Sequence, residues 1–178
     1  MARNIEIKAR IENIATLAPR AAALADQGPF ELAQDDTFFA CANGRLKLRT
    51  LSATEGQLVF YRRPDQAGPK ESFYVIARTP EPDTLRDVLA LAYGCIGRVR
   101  KHRTVFLAGR TRIHLDQVED LGHFLELEVV LADNEANEAG IAVAHALLAQ
   151  LGILPTQLVE GAYLDLLQPI MSSGAKMQ

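Results

Sequence analysis

Polar and apolar residues alternate strictly along the first stretch of the chain, from Asn4 to Ile11. A β-strand directs successive side chains to opposite faces, so this stretch predicts a strand with Asn4, Glu6, Lys8 and Arg10 on one ionic face. Charged residues return in every second position of four later segments: RLKLR at 45–49, KHR at 101–103, RIHLD at 112–116 and FLELEVVL at 124–131. Five strands that each carry an ionic face predict one shared ionic cavity.

Turn and helix signals divide the rest of the chain into further elements. Asn43-Gly44 predicts a hairpin between a short strand at 35–40 and the RLKLR strand. Pro155 is followed by a predicted short strand. Proline, glycine and capping residues delimit predicted helices at 14–27, 82–93 and 135–151. Alternation predicts the remaining strands at 57–64, 72–77, 96–107, 111–118 and 123–131.

The kind of charge on the ionic faces indicates which way they point. A solvent-facing surface usually mixes both signs, whereas here some strands present only arginine and lysine and others present carboxylates. Like charges on neighbouring strands repel each other unless an ion of opposite sign lies between them. Closing about eight antiparallel strands into a barrel encloses room for one small ligand. We therefore predict an α+β fold, a closed antiparallel eight-stranded β-barrel with helices covering its apolar outer face.

The residue types on these faces indicate the ligand. Arginine and lysine bind phosphate oxygens through charge-assisted hydrogen bonds, and a row of them suits a chain of phosphates. Carboxylates repel phosphate unless a hard cation such as Mg²⁺ or Mn²⁺ bridges the two. Glu126 and Glu128 lie two residues apart on one face, and Asp116 is available from the preceding strand. The pattern predicts a metal-triphosphate site.

Composition and charge narrow the class of protein. The 178 residues are 48% hydrophobic and 23% charged with a net charge of −3, which is typical of a soluble globular protein. No stretch is long and apolar enough to span a membrane, and the N-terminus lacks the apolar core of a signal peptide, so we expect a cytoplasmic location. The absence of a basic excess argues against nucleic acid as a partner. We expect one domain at 1–168 and a flexible tail at 169–178, and leave a homodimer open.

Six motifs in order carry a resemblance to a known family. They are DDTFF, RLKLR, YRRP, KHR, RIHLD and FLELEVV. With the N-terminal strand, this arrangement resembles the CYTH family of triphosphate tunnel enzymes, which includes class IV adenylate cyclases, thiamine triphosphatases and inorganic tripolyphosphatases. The resemblance covers residues 3–167. The family's N-terminal Glu-x-Glu-x-Lys is matched by Asn4, Glu6 and Lys8, so the first glutamate is absent.

The resemblance implies an enzyme that depends on Mg²⁺ or Mn²⁺ and acts on a small-molecule triphosphate. Carried over position by position, it assigns the metal to Glu6, Asp116, Glu126 and Glu128. It assigns the triphosphate to Lys8, Arg45, Lys47, Arg49, Arg63, Lys101, Arg103 and Arg112. Catalytic roles fall to three of these residues, Lys8, Arg63 and Arg112. Arg63 is preferred to Arg62 because it shares a strand face with Tyr61.

Several activities are compatible with such a metal-triphosphate site. The order of GRLKLR, LVFYRRP, GPKES and RIHLD is most similar to the class IV adenylate cyclase branch, which implies conversion of ATP to cyclic AMP and pyrophosphate. A thiamine-triphosphatase, a tripolyphosphatase and a non-catalytic nucleotide or polyphosphate-binding module remain alternatives, and the missing first glutamate favours the last. His114 either contacts phosphate or pairs with a neighbouring carboxylate, and Tyr163 is a candidate to close the tunnel from the C-terminal end.

Overall fold

Eight antiparallel strands paired in a closed ring form the centre of the protein in a computed structural model that describes residues 2–167. Going round the ring, the strands follow the order β1-β5-β4-β3-β2-β6-β7-β8, and β8 pairs again with β1. The strands are β1 (Ala2–Ile11), β2 (Gln27–Phe39), β3 (Arg45–Ser52), β4 (Glu55–Arg62), β5 (Lys70–Thr79), β6 (Cys95–Ala108), β7 (Thr111–Val118) and β8 (Gly122–Val130). The predicted α+β class and the eight antiparallel strands are confirmed.

Three α-helices and a short 3-10 helix lie outside the ring in the part of the chain before residue 163, and residues 163–167 are also helical. They are α1 (Ile14–Leu24), α2 (Pro82–Tyr93), α3 (Asn137–Leu151) and the 3-10 helix Pro155–Gln157. The side chain of Asn13 caps α1 by accepting a hydrogen bond from the backbone N–H of Ala15 at 2.8 Å. Helices α1 and α3 cover strands β1, β7 and β8, while α2 covers β2, β3 and β4.

Alternation along β1 sets the inside and the outside of the ring. Ile5, Ile7 and Ala9 are buried in the largest apolar cluster, where they pack with residues of α1 and α3. The residues between them, Glu6 and Lys8, point the other way and line the interior of the ring. The apolar core therefore lies between the sheet and the helices, and the charged faces point inward, as their patterning predicts.

The largest boundary differences from the prediction lie at the junction of α1 and β2. Strand β2 begins at Gln27 and not near residue 35, and α1 ends at Leu24. The early part of β2 is held by β6, which is 14 residues long and supplies partners as far as the pairing of Gln27 with Leu107. After Pro155 the chain forms a 3-10 helix where a strand was predicted, and Leu158 makes only an isolated bridge to Ala9.

No helix within residues 2–167 combines the length and the apolar character needed to cross a membrane. The predicted flexible tail at 169–178 lies outside the described residues, and the single domain at 1–168 stays a prediction.

Close packing of α3 on the sheet depends on Gly140. A Cβ atom at this position would lie 2.6 Å from Cγ1 of Ile5 and 2.7 Å from Cδ2 of Leu131. We expect Gly140→Leu to lower the free energy of unfolding by about 1–3 kcal/mol or more, because the added side chain would overpack this contact. The matched control is Ala142→Leu, at an exposed position of the same helix, with an effect within about 0.5 kcal/mol. Urea denaturation measures the free energy of unfolding of both variants. Equal losses would contradict the close packing of α3 at Gly140.

Candidate active site

A polar cavity of about 450 Å³ occupies the interior of the ring and is lined by side chains from all eight strands. This volume lies in the range of small-molecule binding sites. Its lining contains seven basic side chains and four acidic ones, although the whole chain has a net charge of −3. The basic residues are Lys8, Lys47, Arg49, Arg63, Lys101, Arg103 and Arg112, and the acidic ones are Glu6, Asp36, Glu126 and Glu128. This balance favours an anionic ligand.

Asp36 on β2 holds two of these cations. Its carboxylate accepts hydrogen bonds from Nζ of Lys47 at 2.7 Å and from Nε and Nη2 of Arg49 at 2.8 and 2.9 Å. Burial disfavours the charged carboxylate, but Arg49 and Lys47 outweigh it and hold the pKa of Asp36 far below its usual range. Burial, assisted by the charge of Arg49, lowers the pKa of Lys47 to about 7. Asp36 therefore orients a cationic pair whose lysine titrates near neutral pH.

Asp116 on β7 holds a second cationic pair. Nε and Nη2 of Arg103 donate to its two oxygens at 2.6 Å each, and Nζ of Lys101 lies 3.2 Å away. The hydroxyl of Tyr163 donates to the same carboxylate at 2.8 Å. Burial opposes ionisation of Asp116, yet Arg103 and Lys101 keep its pKa far below the usual range. The metal role assigned to Asp116 stays a prediction, and these partners favour a structural role.

Three potential metal ligands converge on one side of the cavity. Ligand atoms of His114, Glu126 and Glu128 all lie within 4.8 Å of one another. The residues come from adjacent strands, because His114 on β7 pairs directly with Glu126 on β8. Nδ1 of His114 lies 3.9 Å from Oε2 of Glu126 and 3.8 Å from Oε1 of Glu128. Two carboxylates and an imidazole fit a divalent cation.

Glu6 lies beside this cluster, on β1. It is the strand partner of Glu128, and its carboxylate contacts Nη1 of Arg63. Burial and the nearby carboxylate of Glu126 raise the pKa of Glu6 to about 7. A cation between the carboxylates of Glu6 and Glu126 would relieve their repulsion. Glu6 is thus placed near the potential ligands, but the three-residue cluster does not include it.

Each of the three cations predicted to be catalytic contacts a carboxylate of this region. Nζ of Lys8 lies 3.6 Å from Oε1 of Glu126, and Nε of Arg112 lies 2.9 Å from Oε2 of Glu128. Arg63 contacts Glu6, as described above. Burial opposes ionisation of Glu126, but Lys8 helps to hold its pKa well below the usual range. The basic and acidic groups therefore meet at one side of the cavity.

Arg45 is the predicted phosphate-binding residue that the structure does not bring to the cavity. Its guanidinium donates to both oxygens of Asp165, at 2.9 and 2.8 Å, and to Asp65 at 2.9 Å. It shares a strand face with Lys47 and Arg49 but lies at the end of β3, beyond the cavity lining.

The two ends of the cavity differ in character. One end is filled by an apolar cluster that includes Phe38, Val99, Phe124 and Tyr163, and Nζ of Lys8 lies 4.2 Å from the ring centroid of Tyr163. The other end is lined by partly exposed apolar residues and an amide, namely Leu32, Leu51, Gln57 and Ile76. Leu32 is 38% exposed and Ile76 is 46% exposed. The second end offers an apolar surface next to the charged interior.

Sequence reasoning missed two residues and under-weighted a third. Asp36 was seen only as part of the DDTFF motif, although its alternation with Gln34 and Phe38 places it on the inner face of β2. Lys70 is buried at 2% exposure, and its Nζ donates to the backbone oxygen of Gln66. The residues before it have the composition of a loop, so the sequence did not predict a buried lysine here. His114 was left without a metal role because a lone histidine is usually structural or a minor ligand.

Comparisons with known proteins agree with this architecture. The structure of PH1012 from Pyrococcus horikoshii OT3 has a TM-score of 0.81 at 20% identity, covering 92% of this chain and 98% of that chain. A proposed adenylate cyclase from Vibrio parahaemolyticus has a TM-score of 0.73 at 19% identity, covering 93% and 97%. A proposed adenylyl cyclase from Hippeastrum with a dominant triphosphatase activity has a TM-score of 0.65 at 17% identity, covering 98% and 96%. At these identities the likeness shows a shared fold.

The sequence itself identifies the family. No curated protein matches the chain significantly. The family profile of the CYTH domain, however, matches residues 2–163, which is nearly all of the chain and spans every strand of the ring. This protein therefore belongs to the CYTH domain family.

Proposed function

We propose that this protein is a divalent-metal-dependent enzyme that converts ATP to cyclic AMP and pyrophosphate inside the ring. One observation carries the proposal: the cavity joins seven basic side chains, which outnumber their carboxylate partners even when Asp116 is counted, to a cluster of potential metal ligands. Buried charges of one sign are costly unless an opposite charge compensates them, and a triphosphate with a bound cation would compensate both groups at once.

Two arginines, each held in a fixed orientation by an aspartate, would bind the phosphates. Asp36 accepts from Nε and Nη2 of Arg49, and Asp116 accepts from Nε and Nη2 of Arg103. The guanidinium groups are thereby held in place, and no hydrogen bond within residues 2–167 engages Nη1 of either arginine, so this atom can donate to a ligand. Because such preorganised donors need no rearrangement when charge develops, they stabilise a transition state better than mobile ones.

The carboxylates of Glu126 and Glu128 would hold Mg²⁺ or Mn²⁺, since carboxylate oxygens are preferred ligands of both ions. When bound, such an ion supplies Lewis-acid stabilisation of charge on phosphate oxygens. Lys8 and Arg112 contact the same two carboxylates and would add positive charge beside the phosphates.

The apolar end of the cavity supports an organic triphosphate over an inorganic one. Leu32, Leu51 and Ile76 would contact the nucleoside while the phosphates reach the charged interior. In the proposed reaction the ribose 3′-hydroxyl oxygen bonds to the α-phosphorus and the bond to the bridging oxygen breaks. The hydroxyl proton passes to solvent water, and the charge gained by the departing pyrophosphate is neutralised by the surrounding lysines and arginines.

Hydrolysis of a triphosphate is the second candidate. The structural neighbour from Hippeastrum has a dominant triphosphatase activity. The same cavity residues would support a reaction in which a water molecule attacks the terminal phosphorus. The two reactions differ in the nucleophile and in the phosphorus atom attacked. A module that binds nucleotides or polyphosphate without turnover is the third alternative.

Product analysis tests the proposed reaction. With ATP and Mg²⁺ or Mn²⁺ we expect cyclic AMP and pyrophosphate in equal amounts, and no turnover after chelation of the metal. Glu128→Gln should reduce turnover by at least about tenfold, because it removes a potential metal ligand. Glu119→Gln, on an exposed side chain, should be neutral. Orthophosphate without cyclic AMP, from ATP, thiamine triphosphate or tripolyphosphate, would support the hydrolase, and binding without products would support the module.

Binding of a triphosphate should take up protons at pH 8. With a pKa of about 7, Lys47 is mostly neutral at that pH in the ligand-free protein, and the bound phosphates would restore its charge. Lys47 would contribute up to about one proton. Calorimetric titration with a methylene-bridged ATP analogue, in two buffers of different ionisation enthalpy, measures the uptake. Lys47→Arg keeps the positive charge without titrating, so this variant should take up fewer protons on binding. A proton uptake equal to that of the wild type would contradict a contact between Lys47 and the phosphates.

A further inference from the structure

His114 carries a buried nitrogen that has no protein partner among residues 2–167. The residue is 4% exposed, and its Nδ1 atom is fully buried without a hydrogen bond. A buried polar atom without a partner is costly, so native proteins usually supply one or bind a water or an ion there. The unpaired nitrogen faces Glu126 and Glu128, which are themselves the strongest candidates for holding a cation.

The distances suit a shared ion better than direct hydrogen bonds. Nδ1 lies 3.9 Å from Glu126 and 3.8 Å from Glu128, beyond the roughly 2.7–3.2 Å of a nitrogen–oxygen hydrogen bond. Two ligand atoms that each lie about 2.0–2.2 Å from one metal ion are separated by roughly 3–4 Å. An ion placed between these atoms would therefore satisfy the nitrogen with little movement of the strands.

We propose that Nδ1 of His114 is a direct metal ligand together with Glu126 and Glu128, and that this nitrogen makes the site select Mn²⁺ over Mg²⁺. Mg²⁺ takes oxygen ligands almost exclusively and keeps several waters, whereas imidazole is a good ligand for transition-metal ions. The inference rests on the metal site of the proposed function but is independent of the reaction catalysed there.

The geometry of the strands keeps the nitrogen in this position. His114 on β7 pairs with Val105 on one side and with Glu126 on the other, so its side chain is fixed between β6 and β8. The second acidic residue, Glu128, is held by Arg112 at 2.9 Å. Another polar atom of the cavity lining, Oδ1 of Asn4, is also buried without a hydrogen-bond partner among residues 2–167. The cavity therefore presents neutral nitrogen and oxygen donors in addition to its carboxylates.

Electron paramagnetic resonance with MnCl₂ alone tests the proposal without substrate. On the full-length protein we expect bound Mn²⁺ with a hyperfine coupling to a directly coordinated nitrogen, and competition showing that Mg²⁺ binds at least about tenfold more weakly. His114→Gln should abolish the nitrogen coupling and weaken Mn²⁺ binding by roughly tenfold or more, while Mg²⁺ binding changes less. The control, His102→Gln, alters an exposed histidine on the outer face of β6 and should behave as the wild type.

The outcomes separate the two proposals. Bound Mn²⁺ without nitrogen coupling in the wild type, or an unchanged Mn²⁺ to Mg²⁺ preference in folded His114→Gln, would overturn the inference. If His114→Gln does not fold, the presence or absence of nitrogen coupling in the wild-type spectrum decides the proposal. Nitrogen-coupled Mn²⁺ in a protein that turns over no triphosphate would support this site while the proposed function fails. A protein that binds no Mn²⁺ would overturn both.

Discussion

Compensation of buried positive charge is the constraint on which this structure depends. Asp36 and Asp116 each face an arginine directly across a strand pair, Arg49 on β3 and Arg103 on β6, and each also holds a lysine. Removing one partner of such a buried pair is costly, by roughly 3–5 kcal/mol. The register of the strands therefore fixes the orientation of the cationic side chains. The positive charge that these aspartates and the cavity's glutamates leave uncompensated is available to a ligand.

The same constraint explains why the helices lie outside the ring. With the ionic faces turned inward, the aliphatic faces of the strands point outward and need apolar cover. Ile5 and Ile7 pack against α1 and α3, whereas α2 covers the strands on the other side of the ring. The interior can then remain polar because the stability of the fold is provided mainly by the layer between sheet and helices.

Alternation along the sequence predicts the direction of a side chain but not its depth or its partners. It placed Glu6, Lys47 and Glu126 on inner faces because period two is a local property of a strand. Arg45 has the same parity as Lys47 but lies at the rim, because depth depends on the stagger of neighbouring strands. The surroundings of Asp116 involve Tyr163, which is 47 residues away in the sequence, and no local pattern encodes that contact.

The central claim is that the interior of the ring binds a metal ion and a triphosphate together. The most direct measurement is a crystal structure with MnCl₂ and a methylene-bridged ATP analogue, using anomalous scattering to locate manganese. We expect the anomalous peak between Glu126 and Glu128 and the phosphates in contact with Arg49 and Arg103. Manganese bound at Asp116, or an analogue bound outside the ring with the interior cations still paired only to carboxylates of the protein, would contradict the account.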